Sequence, residues 1–105
     1  MTTFTQYQID AMGFRLPSSD ATYALFNLPG EVGELLSLEA KMIRDGGNLT
    51  NHRDSVTKEL GDILWCVAAI AADYKIDLQT IAEVNIHKLK SRKANNTIKG
   101  SGDDR

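Results

Sequence analysis

One cysteine, Cys66, is the only thiol in the chain. An internal disulfide is thereby excluded, and a lone cysteine inside an apolar run reads as a small buried hydrophobe in a reducing, cytoplasmic protein. Basic excess is also missing: twelve Lys and Arg stand against fourteen Asp and Glu, for a formal charge of −2. No global electrostatic footprint for nucleic acid results. The longest apolar run, Ile63 to Ala72, falls well short of the roughly 20 residues needed to cross a bilayer. A buried helix is expected there, and no membrane contact. The first ten residues, MTTFTQYQID, have neither a basic region nor an apolar one, so no secretory leader is expected and the Asn48-Leu49-Thr50 sequon carries no meaning. There is no Walker-type glycine-rich loop, and neither His52 nor His87 has a nucleophile at a persuasive spacing.

What is present is helical periodicity. With 105 residues there is room for one domain near the lower end of comfortable size, which makes oligomerisation an early expectation. Phe4, Tyr7, Ala11 and Phe14 predict a short amphipathic helix from Phe4 to Phe14. Pro17-Ser18-Ser19-Asp20 predicts a turn, with Ser18, Ser19 or Asp20 capping a second helix to Asp45 that Gly46-Gly47 ends. Pro29 predicts a kink or a fresh start inside it. A third helix is expected over His52 to Tyr74, and a fourth, capped by Asp77, over Leu78 to Lys93. This divides the chain into a helical domain, 1–93, and a polar tail, 94–105, that is flexible or ordered by a ligand.

Projected at about 100° per residue, Glu31 and Glu34 share an arc with Leu35, Leu38 and Met42. Glu59 and Asp62 share one with Ile63, Cys66 and Ile70. A single i,i+3 acid pair is an ordinary solvated feature of helices. Two pairs, each ending an apolar stripe on neighbouring helices, place four carboxylates where they repel one another unless a cation joins them. Mg²⁺, a hard ion that takes oxygen ligands and is reached by acids projecting from facing helices, is the natural occupant, with Mn²⁺ as a substitute. The histidine and cysteine pattern that would favour zinc is missing from these arcs.

On the fourth helix Leu78, Ile81, Asn85, Lys88, Leu89 and Arg92 share a face, so an amide and two cations extend an apolar stripe. A helix C-terminus favours cations in any case. Asn85 is left either to a core hydrogen bond or to a substrate. His87 projects to the other side and reads as solvated.

These residues resemble a known family. Gly30-Glu31-Val32-Gly33-Glu34 followed by Lys58-Glu59-Leu60-Gly61-Asp62, with Trp65 shortly after, is similar to the ExxE…ExxD signature of MazG-like nucleotide pyrophosphohydrolases. Asn85-Ile86-His87-Lys88-Leu89, Ser91-Arg92-Lys93 and the terminal Gly100-Ser101-Gly102-Asp103-Asp104-Arg105 resemble the closing segment of its short members. The resemblance implies an all-α, four-to-five-helix, oligomeric bundle. It implies hydrolysis of nucleoside triphosphates between the α- and β-phosphates to monophosphate and pyrophosphate. It makes Glu31, Glu34, Glu59 and Asp62 the Mg²⁺ ligands, and Asn85, Lys88 and Arg92 the candidates for substrate contact.

A mechanism follows: one metal, or two about 3.5–4 Å apart, clamps phosphate oxygens and activates a water, with Glu34 or Glu59 accepting the proton. Lys88 and Arg92 offset the charge that develops on phosphate. Because Ile63 to Ala72 has no polar face, the third helix is expected to need a second copy for cover, with Trp65 at that interface, in a homodimer or homotetramer. Two competing readings are a non-catalytic helical interaction module and a phosphoribosyl-ATP pyrophosphohydrolase.

Overall fold

Four helices make up the fold, and the computed structural model describes residues 2–19, 22–47 and 49–105. They are α1 (Phe4–Met12), α2 (Tyr23–Asp45), α3 (Leu49–Asp73) and α4 (Leu78–Ala94). No strand occurs among the described residues, so the all-α expectation holds.

Local chemistry sets most boundaries. Thr3 caps α1 by accepting a hydrogen bond from the Gln6 amide at 3.0 Å. The helix stops at Met12, two residues before the expected end. From Gly13 onward the amides of Gly13, Phe14 and Arg15 reach back only three residues, to Asp10, Ala11 and Met12, and Phe14 swings into solvent. Gly13 is a poor helix former, and the winding tightens there.

The N-terminus of α2 also departs from expectation. Thr22 holds the cap position, while Ser19 belongs to a turn whose amide bonds the Leu16 carbonyl at 2.9 Å. Asp20, another of the three expected caps, lies outside the described residues. Helix α2 then runs unbroken through Pro29 and does not restart. One lost amide donor in a 23-residue helix is offset by packing along its length against α3. Gly46 closes α2 as expected, in the left-handed conformation at φ 58°, its amide on the Met42 carbonyl.

At the end of α3 the left-handed position falls to Lys75 at φ 57°. The Ile76 amide reaches back to Ala71 and that of Lys75 to Ala72, the paired bonds of a Schellman turn. Asp77 caps α4 through the Gln79 amide, as expected, and its carboxylate also takes the Thr5 hydroxyl at 2.9 Å.

Small side chains let the helices meet closely. Ala68, Ala69 and Ala71 of α3, Ala24 of α2 and Ala11 of α1 are buried together with Cys66. All ten residues from Ile63 to Ala72 are buried or half-buried within the chain. Helices α1 and α2 supply part of the cover of α3, leaving Ile63, Leu64, Trp65, Val67, Ile70 and Ala72 half-buried. Trp65 is half-buried, and its indole donates to the Ala11 carbonyl of α1 at 3.1 Å.

Gln8 joins three elements. Its amide donates to the carbonyls of Ala68 and Ile76 and accepts from the Leu78 amide at 3.0–3.1 Å. Arg15 meets Asp73 at 2.6 and 3.0 Å. At the far end of the α2–α3 hairpin a His52 ring nitrogen lies 2.7 Å from Glu39. Helix α4 packs on α1 and on α3, whereas α2 packs on α3 alone among the described residues. The result is an open arrangement, with a radius of gyration of 16.7 Å, against about 13 Å for a compact chain of 100 residues.

Candidate metal centre

Helices α2 and α3 carry the four acids to one place. One oxygen from each of Glu31, Glu34, Glu59 and Asp62 lies within 4.8 Å of the others. The three-residue spacing does this on both helices: it presents each acid pair on a single face, and the two faces meet where α2 packs on α3. Glu31 and Glu59 sit deeper, half-buried, while Glu34 and Asp62 lie at the exposed rim.

The electrostatics of the cluster are unfavourable as it stands. Burial, followed by the charges of Glu34, Asp62 and Glu31, pushes the Glu59 carboxyl above its ordinary range. Among the described residues, Oε2 of Glu31 and Oε2 of Glu59 are buried without a hydrogen-bond partner. Two orphaned carboxylate oxygens pointing into a four-acid cluster match the donor set of a hard divalent cation. The four acids fit such an ion.

Around the cluster the structure adds residues that sequence reasoning missed. Asn27, one turn before Glu31, donates to its Oε1 at 3.3 Å and approaches the Cys66 sulfur at 3.7 Å. Its i,i+4 spacing to Glu31 was the available signal. It leaves Oε2 of Glu31 free for a ligand while restraining the carboxylate, as neighbours of metal ligands commonly do. Tyr7 of α1 reaches the same neighbourhood: burial, and then the negative charge of Asp62, raise its phenol above the ordinary value. Cys66 is buried, and burial raises its thiol despite the Asn27 contact, so it is an unreactive core residue.

Of the two helices that carry the acids, α3 packs on α4 and α2 does not. Asn85 is exposed. Lys88 meets Asp103 of the tail at 3.2 Å. Arg92, only 6 % exposed, donates to the backbone carbonyls of Gly102 and Asp103. His87 is exposed, as expected.

Comparison with known proteins agrees with the geometry. Residues 21–97 match the family model described as the MazG nucleotide pyrophosphohydrolase domain. The chain is also 41% identical over 86 residues to the Gene 37 protein of Mycobacterium phage L5, covering 80% of this chain and 75% of that protein. No solved structure matches. The matched span takes in all four acids and the whole of α2, α3 and α4, and the chain belongs to the MazG nucleotide pyrophosphohydrolase family.

Proposed function

We propose that the protein hydrolyses canonical or modified nucleoside or deoxynucleoside triphosphates between the α- and β-phosphates, releasing monophosphate and pyrophosphate, with Mg²⁺ held by Glu31, Glu34, Glu59 and Asp62. The observation that carries this reading is the convergence of the four carboxylates within 4.8 Å with two buried oxygens unpartnered. Mg²⁺, when bound, supplies positive charge against the phosphate oxygens and makes water more acidic at neutral pH. The chain's own groups do the rest. Glu34 or Glu59 accepts the proton of the attacking water. Lys88 and Arg92 oppose the charge that grows on the phosphates, and Asn85 offers an amide to the substrate.

A second copy of the chain is part of this reading. The accessible surface is 7961 Å², whereas a folded monomer of this mass exposes about 5,800 Å². Leu25, Val32, Leu36 and Ile43 form one exposed apolar stripe along α2, with Ile43 82% and neighbouring Phe26 78% exposed. A homodimer or homotetramer that covers this stripe is supported by both features. Sedimentation as a monomer at micromolar concentration would remove that part of the proposal.

The enzyme reading is tested with a panel of NTPs and dNTPs in Mg²⁺ or Mn²⁺, separating pyrophosphate from orthophosphate. Pyrophosphate release that Glu59→Gln abolishes, with helical content retained, is the expected result. If Mg²⁺ neither raises the melting temperature nor supports release from any nucleotide, the chain is a non-catalytic helical module. Release from phosphoribosyl-ATP alone would move the substrate to that compound.

A further inference from the structure

We propose that Asp103 is the resident anion of a phosphate subsite formed by Lys88 and Arg92, and that a substrate phosphate enters by displacing its carboxylate. The inference rests on the pyrophosphohydrolase reading and deepens it, by naming the group that phosphate must replace.

Lys88 and Arg92 are one turn apart on α4, so both cations lie on one face of the helix. The tail turns back over them through Asn96 at φ 54° and Gly102 at φ 86°. Two kinds of contact hold it, and they differ in strength. The first is an anchor. Arg92 Nη2 donates to the carbonyls of Asp103 at 2.9 Å and Gly102 at 3.3 Å. The Arg105 guanidinium donates to the carbonyls of Thr97, Ile98 and Gly102 at 2.9, 3.1 and 2.6 Å. A guanidinium as buried as that of Arg92 is costly to strip of its acceptors, so this half of the clasp persists.

The second contact is exchangeable. The Asp103 carboxylate lies 3.2 Å from Lys88 Nζ and 3.5 Å from Arg92 Nη2, and its side chain is 86% exposed. Hydrogen bonding to Lys88, then the Lys88 charge and the Arg92 contact, hold that carboxyl below its usual range. The cation pair therefore already selects an anion, yet the one it holds is a single, solvated charge, and exposed ion pairs of this kind contribute little. A polyphosphate brings several charges and more acceptor oxygens than a carboxylate. It takes Lys88 from Asp103, while the bonds of Arg92 to backbone carbonyls stay. Asp103 sets the affinity of the subsite by competing for it.

The test is calorimetric titration of tripolyphosphate into the full-length protein in EDTA at fixed salt, for wild type, Asp103→Asn, Lys88→Gln and the double variant. Asp103→Asn is expected to bind roughly two- to fivefold more tightly, in keeping with the loss of one exposed ion-pair competitor. Lys88→Gln is expected to bind more weakly, and the gain from Asp103→Asn is expected to vanish in its background. Equal or weaker binding by Asp103→Asn overturns the proposal, as does a gain that survives without Lys88, or no measurable binding by wild type and Asp103→Asn. This readout involves neither metal nor turnover. Unchanged tripolyphosphate affinity in Asp103→Asn alongside pyrophosphate release by wild type removes this inference alone. Tighter binding by Asp103→Asn in a protein that releases no pyrophosphate removes the assigned reaction alone.

Discussion

Helix α3 meets two groups of partly buried polar side chains, and they are finished in different ways. Near its C-terminal end, Gln8 spends its amide on Ala68, Ile76 and Leu78, and Arg15 forks onto Asp73. Toward its middle, Glu59 meets Glu31, Glu34 and Asp62, all of one sign, with buried oxygens that nothing among the described residues satisfies. The first group is paired with backbone groups and an opposite charge, and Gln8 ties α1 to α3 and α4. The second is completed only by something added. Buried polar groups that the chain pairs internally stabilise structure, while those it leaves unpaired mark where binding energy is to be gained.

The largest expected effect comes from breaking the second group. Glu59→Gln is expected to lower the rate of pyrophosphate release by at least about a hundredfold, as loss of a group that acts on the developing charge does. It should also abolish the Mg²⁺-dependent rise in melting temperature. In the absence of metal the same variant is expected to melt no lower than wild type, because it removes a repelled charge. A metal-free loss of stability would show that Glu59 belongs with the structural group.

Gln8→Ala provides the converse case. It strands two carbonyls and an amide in a buried position, and is expected to cost about 2–3 kcal/mol of unfolding free energy in urea titrations. Mg²⁺ should stabilise this variant by as much as it stabilises wild type. Asn27→Ala tests the boundary between the two groups, since Asn27 restrains Glu31 without completing it. A roughly tenfold rise in the Mg²⁺ concentration at half-saturation is expected, as for other residues that orient a ligand, with little change in metal-free stability.

Acidity sharpens the same contrast. The Glu59 carboxyl titrates above its ordinary range in the fold, chiefly through burial and then through the charges of Glu34, Asp62 and Glu31. The metal-free protein therefore holds the stabilising contribution of that proton in full below the ordinary carboxylate range, and loses it as pH rises through the raised value. Mg²⁺ competes with the proton, so its half-saturating concentration is expected to rise as pH falls through that window, by at most about tenfold per pH unit for one proton displaced. Calorimetry in buffers of different ionisation enthalpy should register proton release on binding. The smallest effect belongs to neither group: Lys75→Gly relieves a left-handed lysine at φ 57°, and is expected to add roughly 0.5–1 kcal/mol.

The carboxylate cluster was legible in the sequence because its logic is local. Glu31 and Glu34, and Glu59 and Asp62, each stand three residues apart within one helix, so helical periodicity alone assigns them to faces shared with Leu35, Leu38, Ile63 and Cys66. Asp77 and Gly46 were legible for the same reason, since caps are properties of short segments. The role of Gln8 was not, because its partners lie 60, 68 and 70 residues away and no spacing announces them. Of the kink or fresh start expected at Pro29, the fresh start does not occur, because the local penalty is offset by the packing of α2 on α3.

By itself, then, the sequence determined the four helices, their acidic faces and the family to which the ExxE and ExxD pairs belong, since these depend on contacts within a few residues. Tertiary structure alone decided that α3 is buried or half-buried within its own chain over Ile63 to Ala72 while α2 keeps an exposed apolar stripe. It also decided that the tail closes over Lys88 and Arg92. Each of these depends on which surfaces meet between helices or at the end of the chain, a choice made by the summed packing of the whole molecule and not by the periodicity of any one helix.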